Sequence, residues 1–465
     1  MLVEAFLNTV RRSPRKLAVV DGPRRLSYRS LARLAMLIRD DVRRRTTCPR
    51  VGLMLPASTA FPACLFGTLW AGRTAIPLNF LLNRVELADV IASAEIDLII
   101  SVRPLADAIP QTPARVVFLE DLSLKRRMAF AALRRLPPAP LASADDTAVI
   151  LFTSGTTAEP KGVELTQQNL CSNSVDTIAS LGLDASSTFL NVLPPFHVFG
   201  LTASVLVPAI LGGTVYAIPR FSPVAMVRTI HKHGISVMMA VPSMYAAVLK
   251  TKSTTAAAFA SVRLAVSGGE PLPNTIRDGF AERFGIRLDQ GYGLTETSPV
   301  VSICGPEAHR EGTVGRPIRN VEIRLVDENQ ADVGAGCDGE ILLRGPGVMK
   351  GYYKRPQDTR SVIDSDGWFR TGDIGLLDRD GFLHITGRAK DMLIIGGENV
   401  FPREIESVLE SHEGVLQAAV IGVPDDLRGE MPVAFVIPKE GVEISEQGIR
   451  QFARNRWPGS KRRAA

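Results

Sequence analysis

Residues 150–170 read ILFTSGTTAEPKGVELTQQNL, in which Thr153, Ser154, Thr156 and Thr157 surround Gly155, and Lys161-Gly162 follow. Hydroxyls donate to phosphoryl oxygens, glycine lets the backbone approach a ligand closely, and lysine adds positive charge. Set between an apolar run and a helix-like run, the loop reads as a strand–helix corner whose backbone N–H groups favour an anion, and a polyphosphate is the natural guest. It is not the GxxxxGK[ST] loop, because the lysine precedes the glycine and no Ser or Thr follows it directly. The plain alternative is a Ser/Thr-rich surface turn.

Further segments carry groups that suit the same guest. In GYGLTE (291–296), Tyr292 offers a ring that can stack on a base, Thr295 a hydroxyl for a phosphate, and Glu296 an oxygen ligand of the kind Mg²⁺ takes beside polyphosphates. In GWFRTGD (367–373), Asp373 follows a tight Thr-Gly turn, where its carboxylate can accept hydrogen bonds from both ribose hydroxyls. Arg388 can reach the same sugar or the phosphate, and His197 stands in PPFHVFG. Taken singly each has an ordinary reading: tyrosine as packing, glutamate as a solvated face, histidine as a hydrogen-bonded core residue.

These groups need elements to hold them. A chain of 465 residues exceeds what one hydrophobic core supports, so two or more domains are expected, and 45% hydrophobic with 22% charged residues argues against disorder. The five cysteines (Cys48, Cys64, Cys171, Cys304, Cys337) form no CxxC pair and have no histidine at metal-ligand spacing, which implies reduced thiols in a cytoplasmic compartment and no zinc site. The formal charge is +6, but the basic runs at 43–45, 124–138 and 461–463 lack interleaved aromatic residues, so nucleic acid is not expected as a partner. Within them LKRRMAFAALRRLPP reads as a solvated helix face or linker, with weak peripheral contact to an anionic membrane as the alternative. MLVEAFLNTVRRSPRKL lacks the order of a secretory leader. Residues 185–219 carry no Lys, Arg, Asp or Glu, yet Pro194-Pro195, His197, Pro208 and Gly212-Gly213 cut them into pieces too short to span a bilayer.

Those pieces read as a strand (TFLNVL), a loop, a buried helix (GLTASVLVPAIL) and a strand (TVYAIP). The same rhythm recurs in RVGLML before ASTAFPACLFGTLWAG, SVMMA before PSMYAAVL, and VRLAVSGG before PNTIRDGFAERFG. Short apolar strands interleaved with helices predict an α/β fold with two doubly covered, largely parallel sheets. After Gly312, VEIRLVD, GEILLRG and FLHITG alternate between Asn, Asp and Gly turns, which predicts a small β-barrel-like or antiparallel subdomain. A boundary is expected near 387–391, and the remainder reads as a small βαβ, α+β lid.

In the order TSGTTAEPKG, SGGEPL, GYGLTE, GWFRTGD and GRAKDMLIIGGENVFPREIE, the sequence resembles the adenylate-forming superfamily of acyl-CoA synthetases, luciferases and peptide-synthetase adenylation domains, over nearly its whole length. The resemblance implies an N-terminal AMP-binding domain at 1–388 and a partial C-terminal lid at 389–465. It implies that Thr153, Ser154, Gly155, Thr156, Thr157 and Lys161 form a phosphate loop, that Gly269, Glu270 and Pro271 line adenine, and that Tyr292, with Gly293 beside it, stacks on the base. Thr295 would touch the α-phosphate, Glu296 hold Mg²⁺, and Asp373 and Arg388 bind ribose. His197 would gate nucleotide from acyl pocket, Lys390 would be the hinge of the lid, and Gly396-Gly397 the turn that admits pantetheine. The implied reactants are ATP, a carboxylic acid and coenzyme A.

The stretch GISVMMAVPSMY has no carboxylate to hold an α-amino group, and with FGLTASVL it predicts an apolar acid pocket. A fatty acyl-CoA synthetase is the expectation. The alternatives are an acyl-carrier-protein synthetase or acyl-AMP ligase using a carrier protein, and a non-catalytic acyl-adenylate binder. Ala158 stands where the family commonly has glycine. The sequence as written ends at NRWPGSKRRAA, before the family's Gly-Lys segment, with Lys461 its last lysine. Losing one donor aimed at developing charge costs roughly 10²–10³ in rate, so weak adenylation is expected of the chain as written.

Overall fold

The computed structural model describes residues 1–153, 160–395, 398–425, 429–439 and 441–456. Ser154, Gly155, Thr156, Thr157, Gly396 and Gly397, all expected in the site, lie outside them.

Two large sheets organise the chain. The first runs in the order Arg316–Pro317, Val300–Ile303, Asp289–Gly293, Leu264–Ser267, Val237–Ala240, Thr188–Asn191, Thr214–Ala217, Leu17–Asp21, Arg24–Ser27. Its centre is parallel, as the α/β rhythm predicts. Strands Val237–Ala240 and Leu264–Ser267 are buried at every position, which is why they read as continuous apolar runs rather than alternating ones. The second sheet runs Gly351–Tyr352, Lys161–Thr166, Thr147–Thr153, Thr74–Pro77, Arg50–Met54, Leu98–Ser101, Arg115–Phe118. Helix Ala60–Trp70 is buried from Phe61 through Trp70 in the core the two sheets share.

One element departs from expectation close to the site. Strand Lys161–Thr166 follows the loop and pairs antiparallel with Thr147–Thr153, so the hydroxyl-rich loop tops a hairpin and does not open a helix. The helix Gln167–Ser180 starts beyond that strand, where the Thr166 hydroxyl and the Asn169 amide form a capping box. KGVELT hid the strand because only Val163 and Leu165 signal its alternation, and the polar Thr-Gln-Gln that follows suggests an earlier helix start. The helix N-terminus thus lies at Gln167, a strand's length beyond Lys161.

After Gly312 the chain forms a four-stranded antiparallel sheet in the order Glu322–Val326, Gly339–Arg344, Phe369–Leu377, Leu383–Arg388. Between its second and third strands Gly351–Tyr352 leaves this sheet and adds to the edge of the second large one, opposite Val163 and Glu164. A 3₁₀ turn, Ala389–Asp391, with Lys390 exposed, leads into the last unit. That unit is antiparallel rather than βαβ, in the order Glu398–Val400, Leu393–Ile395, Gly429–Pro438, Val415–Asp425, with helices Pro402–Glu410 and Glu446–Arg456. The long ladder between Val415–Asp425 and Gly429–Pro438 makes a hairpin where the sequence suggested a crossover. Among the described residues no helix is long and apolar enough to cross a membrane.

Candidate functional site

Lys161 opens its strand directly opposite Thr153, at the mouth of the hairpin loop. Its Nζ lies 3.0 Å from Asp358 Oδ2 and 5.3 Å above the ring of Tyr352. The ion pair holds the Asp358 carboxyl below the usual range. The Tyr352 hydroxyl donates to Glu296 Oε1 at 2.9 Å. Burial first, and then the Glu296 charge, raise the Tyr352 pKa far above its ordinary value, so the hydroxyl stays a donor. Strand Gly351–Tyr352 thus links the lysine of one large sheet to the glutamate of the other.

Glu296 sits in a 3₁₀ turn, Thr295–Thr297, which is pinned on all sides. Its carbonyl accepts from the Met349 amide at 2.8 Å. The Asn173 side chain donates to Thr297 O at 3.1 Å and Val300 O at 2.7 Å, and Thr202 Oγ1 donates to Ser298 O at 3.0 Å. Gly293 must be glycine, because a Cβ there would stand 1.9 Å from Pro299 O. These hydrogen bonds fix the backbone that carries Thr295 and Glu296.

Toward the other end of the same segment, the Tyr292 hydroxyl donates to Asp373 Oδ2 at 2.6 Å, and Arg388 Nε lies 2.9 Å from Asp373 Oδ1. Asp373 and Arg388 face each other in register across antiparallel strands. Burial of Asp373 raises its carboxyl pKa, against the pull of Tyr292 and Arg388. The Tyr292 phenol is raised well above its normal value, by burial and then by Asp373. Each carboxylate oxygen keeps a second lone pair, so the pair can still accept from a sugar.

Gly269, Glu270 and Pro271 form an exposed bend at the carboxyl end of Leu264–Ser267, with Gly269 at φ +87°. Gln290 Oε1 accepts from the Leu272 amide at 3.4 Å and ties this bend to the Tyr292 strand. The bend and Tyr292 thus stand side by side at the carboxyl ends of parallel strands, where α/β folds bind ligands.

His197 is exposed, its ring 4.8 Å from that of Phe196, which stands edge-on to Phe80 at 5.0 Å. Its ring has no hydrogen-bond partner among the described residues, which argues against a hydrogen-bonded core histidine. The protein crowded around the ring lowers its pKa. Beyond it Phe199 approaches Gly268, where a Cβ would lie 3.4 Å from the ring, and Val241 approaches Gly269, where a Cβ would lie 3.6 Å away. The two side chains nearest these glycines on that side are thus apolar.

Sequence reasoning missed Tyr352 and Asp358. Their segment, GYYKRPQDT, holds an aromatic pair and an acid, but only the return of Gly351–Tyr352 to the second sheet brings them to Lys161. For Mg²⁺ the donor set is one partly buried carboxylate, Glu296, since the described residues contain no group of three or more His, Cys, Asp or Glu side chains able to hold a metal. That fits Mg²⁺, which keeps several waters and takes one or two carboxylates together with substrate phosphates.

The family model "AMP-binding enzyme" matches residues 6–353, and that of the "AMP-binding enzyme C-terminal domain" matches residues 404–463. The chain is 33% identical over 455 residues to a feruloyl-CoA synthase of Amycolatopsis sp, covering 97% of this chain and 91% of the relative. It is 32% identical over 448 residues to a long-chain-fatty-acid–CoA ligase of Bacillus subtilis, covering 88% of this chain and 80% of the relative. Its fold is similar to the crystal structure of ATP-bound MatB from Rhodopseudomonas palustris, with a TM-score of 0.89, 30% identity and coverage of 99% of this chain and 93% of that one.

Proposed function

Because the chain belongs to the AMP-binding enzyme family, we propose that it joins a carboxylic acid with an apolar tail, a fatty acid in the first instance, to the thiol of coenzyme A by way of an acyl-adenylate. The observation that carries this reading is the continuous line of contacts Asp358, Lys161, Tyr352, Glu296, then along the chain to Tyr292, Asp373 and Arg388. It sets a cation, a carboxylate, an aromatic ring and a second carboxylate along one connected line of side chains, the groups a nucleotide and its metal ion call for.

In the first half-reaction a carboxylate oxygen attacks the α-phosphorus of ATP, a new P–O bond forms, and the bond to pyrophosphate breaks. Attacker and target are both anionic, so the step depends on neutralising charge as it develops. Lys161 and the loop at 153–157 supply cationic and hydroxyl donors, and Thr295 donates to the α-phosphate. Glu296 would hold Mg²⁺, which when bound supplies charge neutralisation on the phosphates. Tyr292 stacks on adenine against the bend at Gly269, Glu270 and Pro271, while Asp373 and Arg388 hold the ribose. In the second half-reaction the thiol attacks the acyl carbon and AMP leaves, with Lys390 as the hinge on which the lid turns and Gly396-Gly397 beside the pantetheine arm.

The acid is read from the apolar stretches GISVMMAVPSMY and FGLTASVL, of which Val241 and Phe199 approach the Gly268-Gly269 bend, with His197 as the gate. Aliphatic and aromatic acids both suit such stretches. The test is acid-dependent conversion of ATP to AMP and pyrophosphate with decanoate, ferulate and sulfoacetate, each with coenzyme A and with holo-acyl carrier protein. Decanoate with coenzyme A is expected to turn over best. Preference for sulfoacetate would overturn the apolar pocket, preference for the carrier protein would change the acceptor, and no turnover with any acid would leave a binder.

A further inference from the structure

We infer that a surface patch outside the candidate site, the outer face of helix Leu124–Ala131 and the turn after it, docks on an anionic lipid bilayer. Leu124, Met128 and Ala131 turn inward, whereas Arg126, Phe130 and Leu133 recur at i, i+4 and i+7 on the outward side. Phe130 is 63% exposed and Leu133 88% exposed, and Leu141 in the following connector is fully exposed. Phe130 on the helix and Leu133 in the turn after it, three positions apart and both largely exposed, are an interaction surface rather than a scattered residue.

Cations outnumber acids on the outward side of this segment, where Lys125, Arg126 and Arg135 are exposed. Arg127 and Arg134 fasten the helix to its neighbour, at 2.6 Å from Asp41 and 2.8 Å from Asp40. Lys125, Arg126 and Arg135 have no ion pair or hydrogen bond among the described residues. Of the acids that precede the helix, Asp121 pairs with the Arg103 guanidinium at 2.7 Å, while Glu120 accepts from the Arg103 backbone amide at 3.2 Å and keeps its charge. The patch therefore offers free cations to lipid phosphates and two apolar side chains to the acyl boundary beneath them, the pattern of an interfacial helix. Nucleic acid would satisfy the cations and leave Phe130 and Leu133 in water. A helix of eight residues lies on a bilayer and cannot span it.

Co-sedimentation of the full chain with vesicles of equimolar phosphatidylcholine and phosphatidylglycerol tests this, beside pure phosphatidylcholine vesicles and at low and high salt. Binding is expected to the anionic vesicles, to weaken with salt, and to be at least tenfold weaker on neutral ones. The double variant F130S/L133S and the triple variant K125E/R126E/R135E are each expected to lower it at least tenfold, with unchanged melting temperature. A triple reversal elsewhere, R25E/K232E/K252E, controls for net charge. The inference falls if the unaltered chain fails to bind at about 1 mM lipid, where an anchor of roughly 10⁴ M⁻¹ is near saturation. It falls equally if the patch variants bind as well as the parent, or if the distant reversal weakens binding as much. No substrate enters the assay, so its failure is separate from failure of the ligase reading.

Discussion

Tyr292 and Asp373 stand 81 positions apart in the chain, and the hydroxyl of one donates to the carboxylate of the other at 2.6 Å. The bond couples the ring proposed to stack on adenine to the acid proposed to hold the ribose. It also fixes the tyrosine ring before any ligand arrives, which lowers the ordering cost of binding.

Asp373 is a stability cost carried for function. Burial raises its folded-state pKa above the unfolded value of 3.8, so its contribution to stability is full below that value and is lost as pH rises through the folded-state pKa. At pH 7 the group opposes folding. Asp373→Asn is therefore expected to keep the melting temperature within about 3 °C or raise it. The same change should weaken ATP binding about tenfold or more, because hydrogen bonds to a charged acceptor are worth roughly 1.5–3 kcal/mol each. Calorimetric titration with ATP and a thermal scan at pH 7 decide it, and unaltered affinity would contradict the ribose role.

Lys161 is held by Asp358 in a partly exposed ion pair, an interaction that contributes little to stability. Asp358→Asn should leave the melting temperature within about 2 °C and should not raise KM for ATP. Lys161→Ala should lower kcat/KM by about 10²–10³ through loss of a donor to developing charge. Equal losses in both variants would mean that the pair, rather than the lysine, is what the reaction needs.

Tyr352 steadies Glu296 through its hydroxyl. Tyr352→Phe keeps the ring under Lys161 and removes only that hydrogen bond. The Mg²⁺ concentration for half-maximal activity should rise about tenfold, as is usual when the partner of a metal ligand is lost. Glu296→Gln should raise it at least as far. A fall in kcat with no change in Mg²⁺ requirement would sink this assignment.

His197 has a folded-state pKa depressed below 6.5 by its surroundings, so its neutral form is favoured in the folded chain. Its contribution to stability is present above about pH 6.5 and lost as pH falls through that value toward the lower folded-state pKa. His197→Phe should keep a ring at the gate and flatten the pH dependence of the melting temperature between about pH 5 and 7. Retention of the full acid slope in that variant would place the titration on another group.

The ordered motifs were legible because each is a contiguous run whose residue types follow from local chemistry. His197 illustrates the limit: the letters PFHVFG permit a core histidine or a gate, and only the fold shows that the residue is exposed, with its ring 4.8 Å from that of Phe196.

By itself the sequence determined the α/β alternation of the large sheets and the family, and it singled out Lys161, Tyr292, Glu296, Asp373 and Arg388 as candidates, because strand burial and ligand chemistry leave their mark on neighbouring residues. Only the tertiary structure decided that the phosphate loop tops a hairpin, that the last unit is antiparallel, and that Tyr352 and Asp358 join the site. Those outcomes rest on which strand edge a segment finds. Gly351–Tyr352 pairs with a strand nearly two hundred residues earlier in the chain, and no local pattern encodes a pairing whose free energy comes from the distant partner.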